Sequence, residues 1–212
     1  MLTTYSKVGL MSEGFVFKML ILAVSLCLWG QPAIAAESPQ TVVQAGTDRI
    51  VKILKEYPQD NRARRERIQQ VVDGYFDFPA ISRLAVGPRW NSLSPEKKEE
   101  FTEEFSKLLF NTYIDDIEKY AMQPINYSTR SIDPGYVVVE AQVIDQGGPA
   151  TLDYYLHLRN GGWRVYDVAV QGMSLAANYR DQFNTVLANS SFDDLSAILK
   201  QKIAKICRLD RC

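Results

Sequence analysis

Apolar positions follow a helical period through the first half of the chain, downstream of an apolar leader. A stripe that begins at Val43 predicts a helix, and Pro58 ends it because proline cannot donate the backbone hydrogen bond that a helix requires. The stretches Asn61–Phe76 and Pro79–Val86 predict a second and a third helix. This part of the chain is therefore expected to be helical throughout.

The longest predicted helix begins at Ser94 and runs to about Met122. Serine caps free amides, Pro95 fits the first helical position, and the acid at Glu96 favours the positive end of the helix dipole. A face rich in Glu and Lys lies opposite an apolar stripe, which predicts an amphipathic helix over a core. The stripe consists of Phe101, Phe105, Leu108, Leu109, Tyr113, Ile117 and Tyr120.

From residue 125 onward the apolar positions change to a period of two, which is typical of strands. The stretches Tyr136–Asp145, Ala150–Arg159 and Trp163–Gln171 are separated by glycine-rich turns of the kind found in hairpins. A weaker strand, Ile125–Ser131, precedes them. We therefore expect an antiparallel sheet of about four strands.

Two more helices are predicted at the end of the chain. Leu175–Ala188 follows a capping Ser174, and Phe192–Ile206 follows a capping-box pattern. The order of helices, strand meander and helices predicts an α+β fold, with a curved antiparallel sheet covered by the N-terminal and C-terminal helices.

The first residues have the pattern of a secretory signal peptide. Lys18 precedes an apolar run from Met19 to Leu28, and a small-x-small ending follows at Ala33-Ile34-Ala35. The run is shorter than the roughly 20 apolar residues that a bilayer-spanning helix needs. We interpret residues 1–35 as a signal peptide and 36–212 as a single domain; an uncleaved membrane anchor is the alternative.

Composition and charge exclude some classes of function. The chain has 46% hydrophobic and 23% charged residues and a formal net charge of −1, which is ordinary for a globular protein. Nucleic-acid binding calls for a strongly basic face, so no nucleic-acid partner is predicted. Cys207 and Cys212 form either a short terminal disulfide, if the chain is exported, or two free thiols.

Candidate catalytic groups are scarce. His157 is the single histidine and falls in a predicted strand, and no nucleophile elbow, phosphate-binding loop or zinc-protease motif is present. One histidine and two tail cysteines are a poor supply of metal ligands. We therefore predict no catalytic residue, no metal and no cofactor.

The basic cluster Arg62, Arg64, Arg65 and Arg67 is either a solvated helix face or a docking site for an acidic partner or anionic headgroups.

Two segments resemble the MlaC family, the periplasmic phospholipid-binding component of the Mla transport system, also called the toluene-tolerance auxiliary family. They are Phe76–Tyr113 and Tyr166–Phe183, and the likeness in order and spacing extends over nearly the whole chain after residue 35. Gln171 departs from the family pattern, which commonly has an acid before the glycine at this position. The resembling features are Phe76-Asp77-Phe78, Arg83, Gly87-x-x-Trp90, the Phe101/Phe105/Leu109/Tyr113 spacing, Asp167-Val168, Gly172-x-Ser174-Leu175 and Asn178-Tyr179-Arg180-x-Gln182-Phe183.

The resemblance implies a soluble periplasmic carrier rather than an enzyme. Its expected cargo is phospholipid with two or more acyl chains, held in an apolar cavity with the headgroup outside, so that headgroup selectivity is weak. Its expected partners are an outer-membrane lipoprotein–porin complex and an inner-membrane ABC transporter, in a pathway that maintains outer-membrane lipid asymmetry. The alternatives are a periplasmic carrier of acylated proteins and a small hydrolase on a similar fold.

A predicted lipid-binding set follows from the resemblance and from the apolar stripes. A core without a cavity is the other interpretation of the same stripes. Tyr179 and Arg180 are expected near the mouth, where they could meet phosphate, although Arg180 could equally form a salt bridge to Asp167 or Asp181. The full set is Tyr75, Phe76, Phe78, Ile81, Leu84, Phe101, Phe105, Leu108, Leu109, Tyr113, Tyr154, Leu156, Val168, Val170, Tyr179 and Arg180.

Overall fold

The computed structural model of the protein describes residues 37–145 and 148–207. Residues 1–35, the predicted signal peptide, lie outside the described residues. The N-terminal half of the described chain is helical, as the sequence predicts. It contains α1 (Pro39–Glu56), α2 (Asn61–Tyr75), α3 (Phe78–Val86), a 3-10 helix (Gly87–Ser92) and α4 (Pro95–Tyr120).

Side-chain caps define where these helices begin. Ser38, Asp60, Asp77 and Ser94 each accept a hydrogen bond from the backbone amide three residues further on. Each cap satisfies an amide that has no partner inside its helix, so a polar residue before an apolar stripe marks each start.

The strands form one antiparallel sheet in chain order, β1-β2-β3-β4-β5. The sheet is curved and does not close. Four strands match the predicted ones, and β5 is a two-residue addition that is too short to give a periodic signal. Their bounds are β1 (Ile125–Asp133), β2 (Tyr136–Asp145), β3 (Gly148–Arg159), β4 (Gly162–Val170) and β5 (Met173–Ser174).

A bulge interrupts the pairing of β3 with β4. Tyr155 pairs with Asp167 and Leu156 pairs with Val165, so Tyr166 has no partner on β3. A bulge bends the strand and increases its twist. As a result Val165 and Val168, which are three residues apart, point to the same inner face of the sheet, whereas strict alternation would place them on opposite faces.

The remaining helices are α5 (Leu175–Leu187) and α6 (Phe192–Cys207). They pack with α3 and α4 around Phe101, Phe105 and Leu195, which are each at most 1% exposed. A second group of buried side chains joins α1 to the inner face of the sheet, and a third joins α1 and α2 to α4. The fold is α+β with helices over one face of a curved antiparallel sheet, as predicted.

The arginines at the start of α2 are engaged within the chain. Arg64 and Arg65 are only 11% and 12% exposed, and they pair with Glu118 at 3.0 Å and Asp115 at 2.6 Å on α4. Arg62 pairs with Glu66, and the Arg67 guanidinium lies 4.5 Å from the centre of the Tyr57 ring. Most of this cluster therefore ties α2 to its neighbours instead of forming a freely solvated face.

Two further observations concern the ends of the domain and its helices. Cys207 is disulfide-bonded, while Cys212, the partner that the sequence suggests, lies outside the described residues. Among the helices that the structure describes, none has both the length and the hydrophobicity that crossing a membrane requires.

Candidate functional site

A cavity of about 520 Å³ lies between the helices and the inner face of the sheet. Helices α1, α2 and α4 form its helical wall, with contributions from α3 and α5, and β2, β3 and β4 form the wall opposite. The lining is predominantly aliphatic and aromatic. Its volume falls within the range of sites that bind small molecules, about 300–1,000 Å³.

The cavity opens to solvent at one end of the sheet. Of the residues that line it, the exposed ones are Asp116 on α4, Gln171 and Met173 around the turn between β4 and β5, and Asn178 on α5. We call these four residues the mouth. Tyr120 and Ala121, at the C-terminal end of α4, line the cavity beside them. The cavity thus has an apolar interior and a polar, partly exposed rim.

Aromatic side chains form much of the interior wall. The rings of Phe76 and Phe78 stack with their centroids 5.8 Å apart, and both line the cavity. Tyr154 extends from the inner face of β3, and burial raises the pKa of its phenol to about 12. This phenol stays protonated at neutral pH, so it adds apolar surface and one hydroxyl but no charge.

The segment that carries the two stacked phenylalanines is fastened to the sheet through Asp77. The Asp77 amide donates to the Val165 carbonyl at 2.8 Å, and Phe76 forms a parallel bridge with Val165. The Asp77 carboxylate is 4% exposed; it accepts from the Ala80 amide, contacts His157 Nε2 at 3.0 Å and pairs with Arg159. Burial alone would raise the pKa of Asp77, but the hydrogen bonds from Arg159, Ala80 and His157 hold it below its ordinary value.

A second aspartate, Asp167, supports the start of α5. Its carboxylate accepts from the amides of Val168 at 2.8 Å and Ala176 at 3.1 Å, and from the Ser174 hydroxyl. The Ser174 oxygen in turn caps α5 by accepting from the Ala177 amide. Asp167 lines the cavity, but these three donors already occupy its oxygens.

Nine of the residues predicted to bind lipid are brought together around this cavity. They come from four helices or junctions and two strands that are distant in the sequence, which is why a stripe pattern alone could not group them. The nine are Tyr75, Phe76, Phe78, Ile81, Leu109, Tyr113, Tyr154, Val168 and Val170.

The other seven predicted residues do not line the cavity. Helix α4 is about 39 Å long at 1.5 Å per residue, so its N-terminal and C-terminal halves contact different neighbours. Phe101 and Phe105 lie on the N-terminal half and Leu108 lies at the middle of the helix, and all three pack against α5 and α6 together with Tyr179. The remaining three have different surroundings. Leu84 is half-buried on α3, Leu156 packs between the sheet and α1, and Arg180 is exposed on α5.

The two residues expected near the mouth therefore have other surroundings. Tyr179 is 7% exposed, its ring lies 5.0 Å from that of Phe105, and burial together with the nearby Tyr113 raises its pKa to about 12. The Arg180 side chain lies beside Gly87, the residue that follows α3, because a Cβ built on Gly87 would lie 3.6 Å from the Arg180 Cδ. Within the described part of the chain Arg180 has no salt bridge, so the suggested pairs with Asp167 and Asp181 do not form.

Sequence reasoning missed the contribution of α1. Val42, Val43, Gly46, Thr47 and Ile50 all line the cavity. The periodicity at Val43 and Ile50 was visible in the sequence, but it indicates only that this face is buried, not what it is buried against. The same limit applies to Val71, Val72, Phe110 and Ile117.

The lining offers little for catalysis or metal binding. Its ionisable groups in the described residues are Asp116, Asp167 and several tyrosines. His157 lies on the opposite face of the sheet, where its ring is 5.2 Å from that of Tyr166. No group of three or more potential metal ligands occurs in the described residues.

Known proteins share this architecture. The sequence model described as "MlaC protein" matches residues 42–201. The chain is 22% identical to the intermembrane phospholipid transport system binding protein MlaC of Haemophilus influenzae, over 89% of this chain and 93% of the relative. It is 24% identical to the toluene tolerance protein ttg2D of Pseudomonas putida, over 81% of this chain and 83% of the relative.

A solved structure agrees with these relationships. The phospholipid-binding protein of Ralstonia solanacearum, determined in complex with a phospholipid, superimposes with a TM-score of 0.72 at 26% identity. The match covers 81% of this chain and 99% of that protein. The family match extends over most of the chain and includes both the helical wall and the sheet of the cavity. The chain belongs to the MlaC family.

Proposed function

We propose that this protein is a periplasmic phospholipid carrier that holds acyl chains in the cavity and exchanges lipid between an outer-membrane lipoprotein–porin complex and an inner-membrane ABC transporter. The observation that carries the proposal is an apolar cavity of about 520 Å³ that opens to solvent through a polar mouth. An apolar space of this kind is costly to leave filled with water and favourable to fill with hydrocarbon.

The energetics suit a carrier. Each methylene that moves from water into an apolar site contributes about 0.8 kcal/mol, so an acyl chain needs no more than a few polar contacts to be held. The interior supplies Phe76, Phe78 and Tyr154 as contact surface, and the mouth leaves room for a headgroup in water. The complex of the Ralstonia solanacearum relative with a phospholipid supports the same cargo.

Transport without catalysis is the activity we propose. Asp167 is occupied by three donors, and the phenol of Tyr154, with a pKa of about 12, is a poor base or acid at neutral pH. Export through cleavage of residues 1–35 belongs to the same proposal, because a carrier between two membranes must reach the periplasm.

The test is to express the full chain, collect the periplasmic fraction and determine the intact mass of the purified protein. Organic extraction followed by mass spectrometry should recover phospholipid, and delipidated protein should take up phospholipid from vesicles. Neither recovery nor uptake would overturn the proposal. A co-purified acylated protein in native mass spectra would favour the lipoprotein-carrier alternative, and turnover of added esters that requires Asp167 or Asp153 would favour a hydrolase.

A further inference from the structure

The mouth of the cavity has an unusual charge pattern for a site that would receive a phosphate group. Its four residues are one carboxylate, two carboxamides and one thioether, at Asp116, Gln171, Asn178 and Met173. Across the whole lining, in the part of the chain that the structure describes, the charged side chains are Asp116 and Asp167, and both are acidic. An anionic headgroup would therefore meet no cationic side chain of the lining.

The helix ends that contribute to the mouth differ in polarity. Helix α4 ends at Tyr120, which lines the cavity, and a helix C-terminus carries a partial negative charge. Asp116 stands on the last turn but one of the same helix and adds a full negative charge. Burial raises the pKa of the nearby Tyr113 phenol, and the charge of Asp116 raises it further, which indicates that the carboxylate acts on this wall of the cavity.

The start of α5 contributes Asn178 to the mouth, and Gln171 precedes this helix in the chain. A helix N-terminus carries a partial positive charge, and the amide groups of Asn178 and Gln171 are hydrogen-bond donors beside it. The first amides of α5 are already satisfied by Ser174 and Asp167. A phosphate beside the start of α5 would therefore contact the carboxamides, in the field of the helix, and not the helix amides themselves.

Two cations lie close to this region but outside the lining. The Lys119 ammonium lies 4.7 Å from the centre of the Tyr120 ring. The Arg180 side chain lies beside Gly87 and does not line the cavity. Neither residue lines the cavity, so Asp116 is the charged residue among the four that form the mouth.

We infer that the mouth prefers phospholipids whose headgroup carries an ammonium group, such as phosphatidylethanolamine, over anionic ones such as phosphatidylglycerol. The phosphate, which both lipids share, faces Asn178 and Gln171, and the ammonium faces Asp116 and the C-terminal end of α4. This inference rests on the proposed function and specifies its substrate class. Because Asp116 is exposed to solvent, the preference is modest, up to about fivefold.

The test is a competition in one vesicle preparation. Delipidated protein is incubated with vesicles of equimolar phosphatidylethanolamine and phosphatidylglycerol with identical acyl chains, and the bound lipids are quantified by mass spectrometry. Both lipids are presented on the same surface, so vesicle charge cannot produce a difference between them. We expect wild-type protein to be enriched in phosphatidylethanolamine, with the enrichment falling as ionic strength rises.

Substitutions at Asp116 test whether this carboxylate causes the enrichment in phosphatidylethanolamine. D116N should bring the bound ratio to that of the vesicles, and D116K should reverse it. The matched control is E99Q, which removes one negative charge from an exposed position about 25 Å away along the same helix and should retain the wild-type ratio.

The outcomes separate this inference from the proposed function. Lipid uptake at the vesicle ratio by wild-type protein, enrichment in phosphatidylglycerol, or an equal effect of E99Q and D116N would each overturn the headgroup inference and leave the carrier intact. Failure of wild-type protein to take up either lipid would overturn both.

Discussion

The Asp77 carboxylate contacts His157 Nε2 at 3.0 Å, and in the chain Asp77 lies between Phe76 and Phe78, whose rings stack on the cavity wall. A polar contact on the outer face of the sheet thereby fixes two rings on the inner side of the fold. The carboxylate also caps α3, and the Asp77 backbone amide bonds to β4. Through its side chain and its backbone amide, this one buried residue thus joins a helix start, two strands and the cavity wall.

Separating the cap from the ionic contacts of Asp77 is possible with two substitutions. D77N keeps a capping oxygen and removes the charge, whereas D77A removes both. Hydrogen bonds to charged groups contribute about 1.5–3 kcal/mol, so we expect a loss in that range for D77N at pH 7 and a further loss of about 1 kcal/mol for D77A. Urea unfolding of delipidated protein measures both values.

The same contacts give stability a defined pH dependence. Because the pKa of Asp77 is lower in the folded protein, its contribution is present above the unfolded pKa, about 3.9, and disappears as the pH falls through the folded pKa. The difference in unfolding free energy between wild type and D77N should therefore be constant from pH 7 to about 5 and shrink below about 4. A difference that persists unchanged in acid would contradict this assignment.

Narrowing the cavity should weaken lipid binding. Ala141 lies on the inner face of β2 and lines the cavity, so A141L adds three carbon atoms to the space that an acyl chain would occupy. Displacing two or three methylenes costs about 2 kcal/mol, or roughly thirtyfold in affinity. Titration of delipidated protein with fluorescent phospholipid measures the change.

The neighbouring position supplies the control for that experiment. Successive strand residues point to opposite faces, so Q142L places the same side chain on the outer face of the sheet. Its affinity should match wild type. Equal weakening by Q142L and A141L would mean that the sheet, and not the cavity volume, determines binding.

The ion pairs between α2 and α4 should stabilise the domain. Glu118 is 17% exposed and pairs with Arg64 through both of its oxygens. We expect E118Q to cost about 1.5–3 kcal/mol, because the Arg64 guanidinium, which is only 11% exposed, loses its charged acceptor. E56Q breaks the exposed pair with Lys52 and should cost no more than about 0.5 kcal/mol. Thermal unfolding of both variants gives the comparison.

Phe101 provides a test of which half of α4 contacts lipid. Its side chain is fully buried against Phe183 and Phe192 and does not line the cavity. F101L should reduce the free energy of unfolding by about 1–3 kcal/mol while the affinity for phospholipid stays at the wild-type value. A loss of affinity at a temperature where the variant remains folded would return Phe101 to the binding site.

The local pattern of apolar and polar residues was sufficient to predict the main helices and strands and their order along the chain. The caps at Ser94 and Ser174 are at the predicted positions, and the predicted strand Tyr136–Asp145 is the observed one. These features depend on neighbouring residues: a side-chain oxygen reaches an amide three positions away, and alternation places every second residue on one face. Such short-range rules can be applied without knowing what the other side of an element contacts.

The surroundings of each buried side chain in the folded protein could not be predicted in the same way. The stripe of α4 is continuous in the sequence, yet Phe101 packs among helices and Tyr113 lines the cavity. Both positions are apolar because both leave water, and hydrophobicity does not distinguish a side chain that meets another side chain from one that meets an empty space.

By itself, the sequence determined the α+β order, the helix caps, the strand periodicity and, through Phe76–Tyr113 and Tyr166–Phe183, the family resemblance. The tertiary structure alone decided that the curved sheet and α1, α2 and α4 leave a cavity, and that Asp116, Gln171, Met173 and Asn178 form its mouth. The physical reason is that a cavity is a property of how far apart packed elements stand. That distance is set by sheet curvature, by the bulge at Tyr166 and by contacts such as Asp77 to Val165, which join residues far apart in the chain.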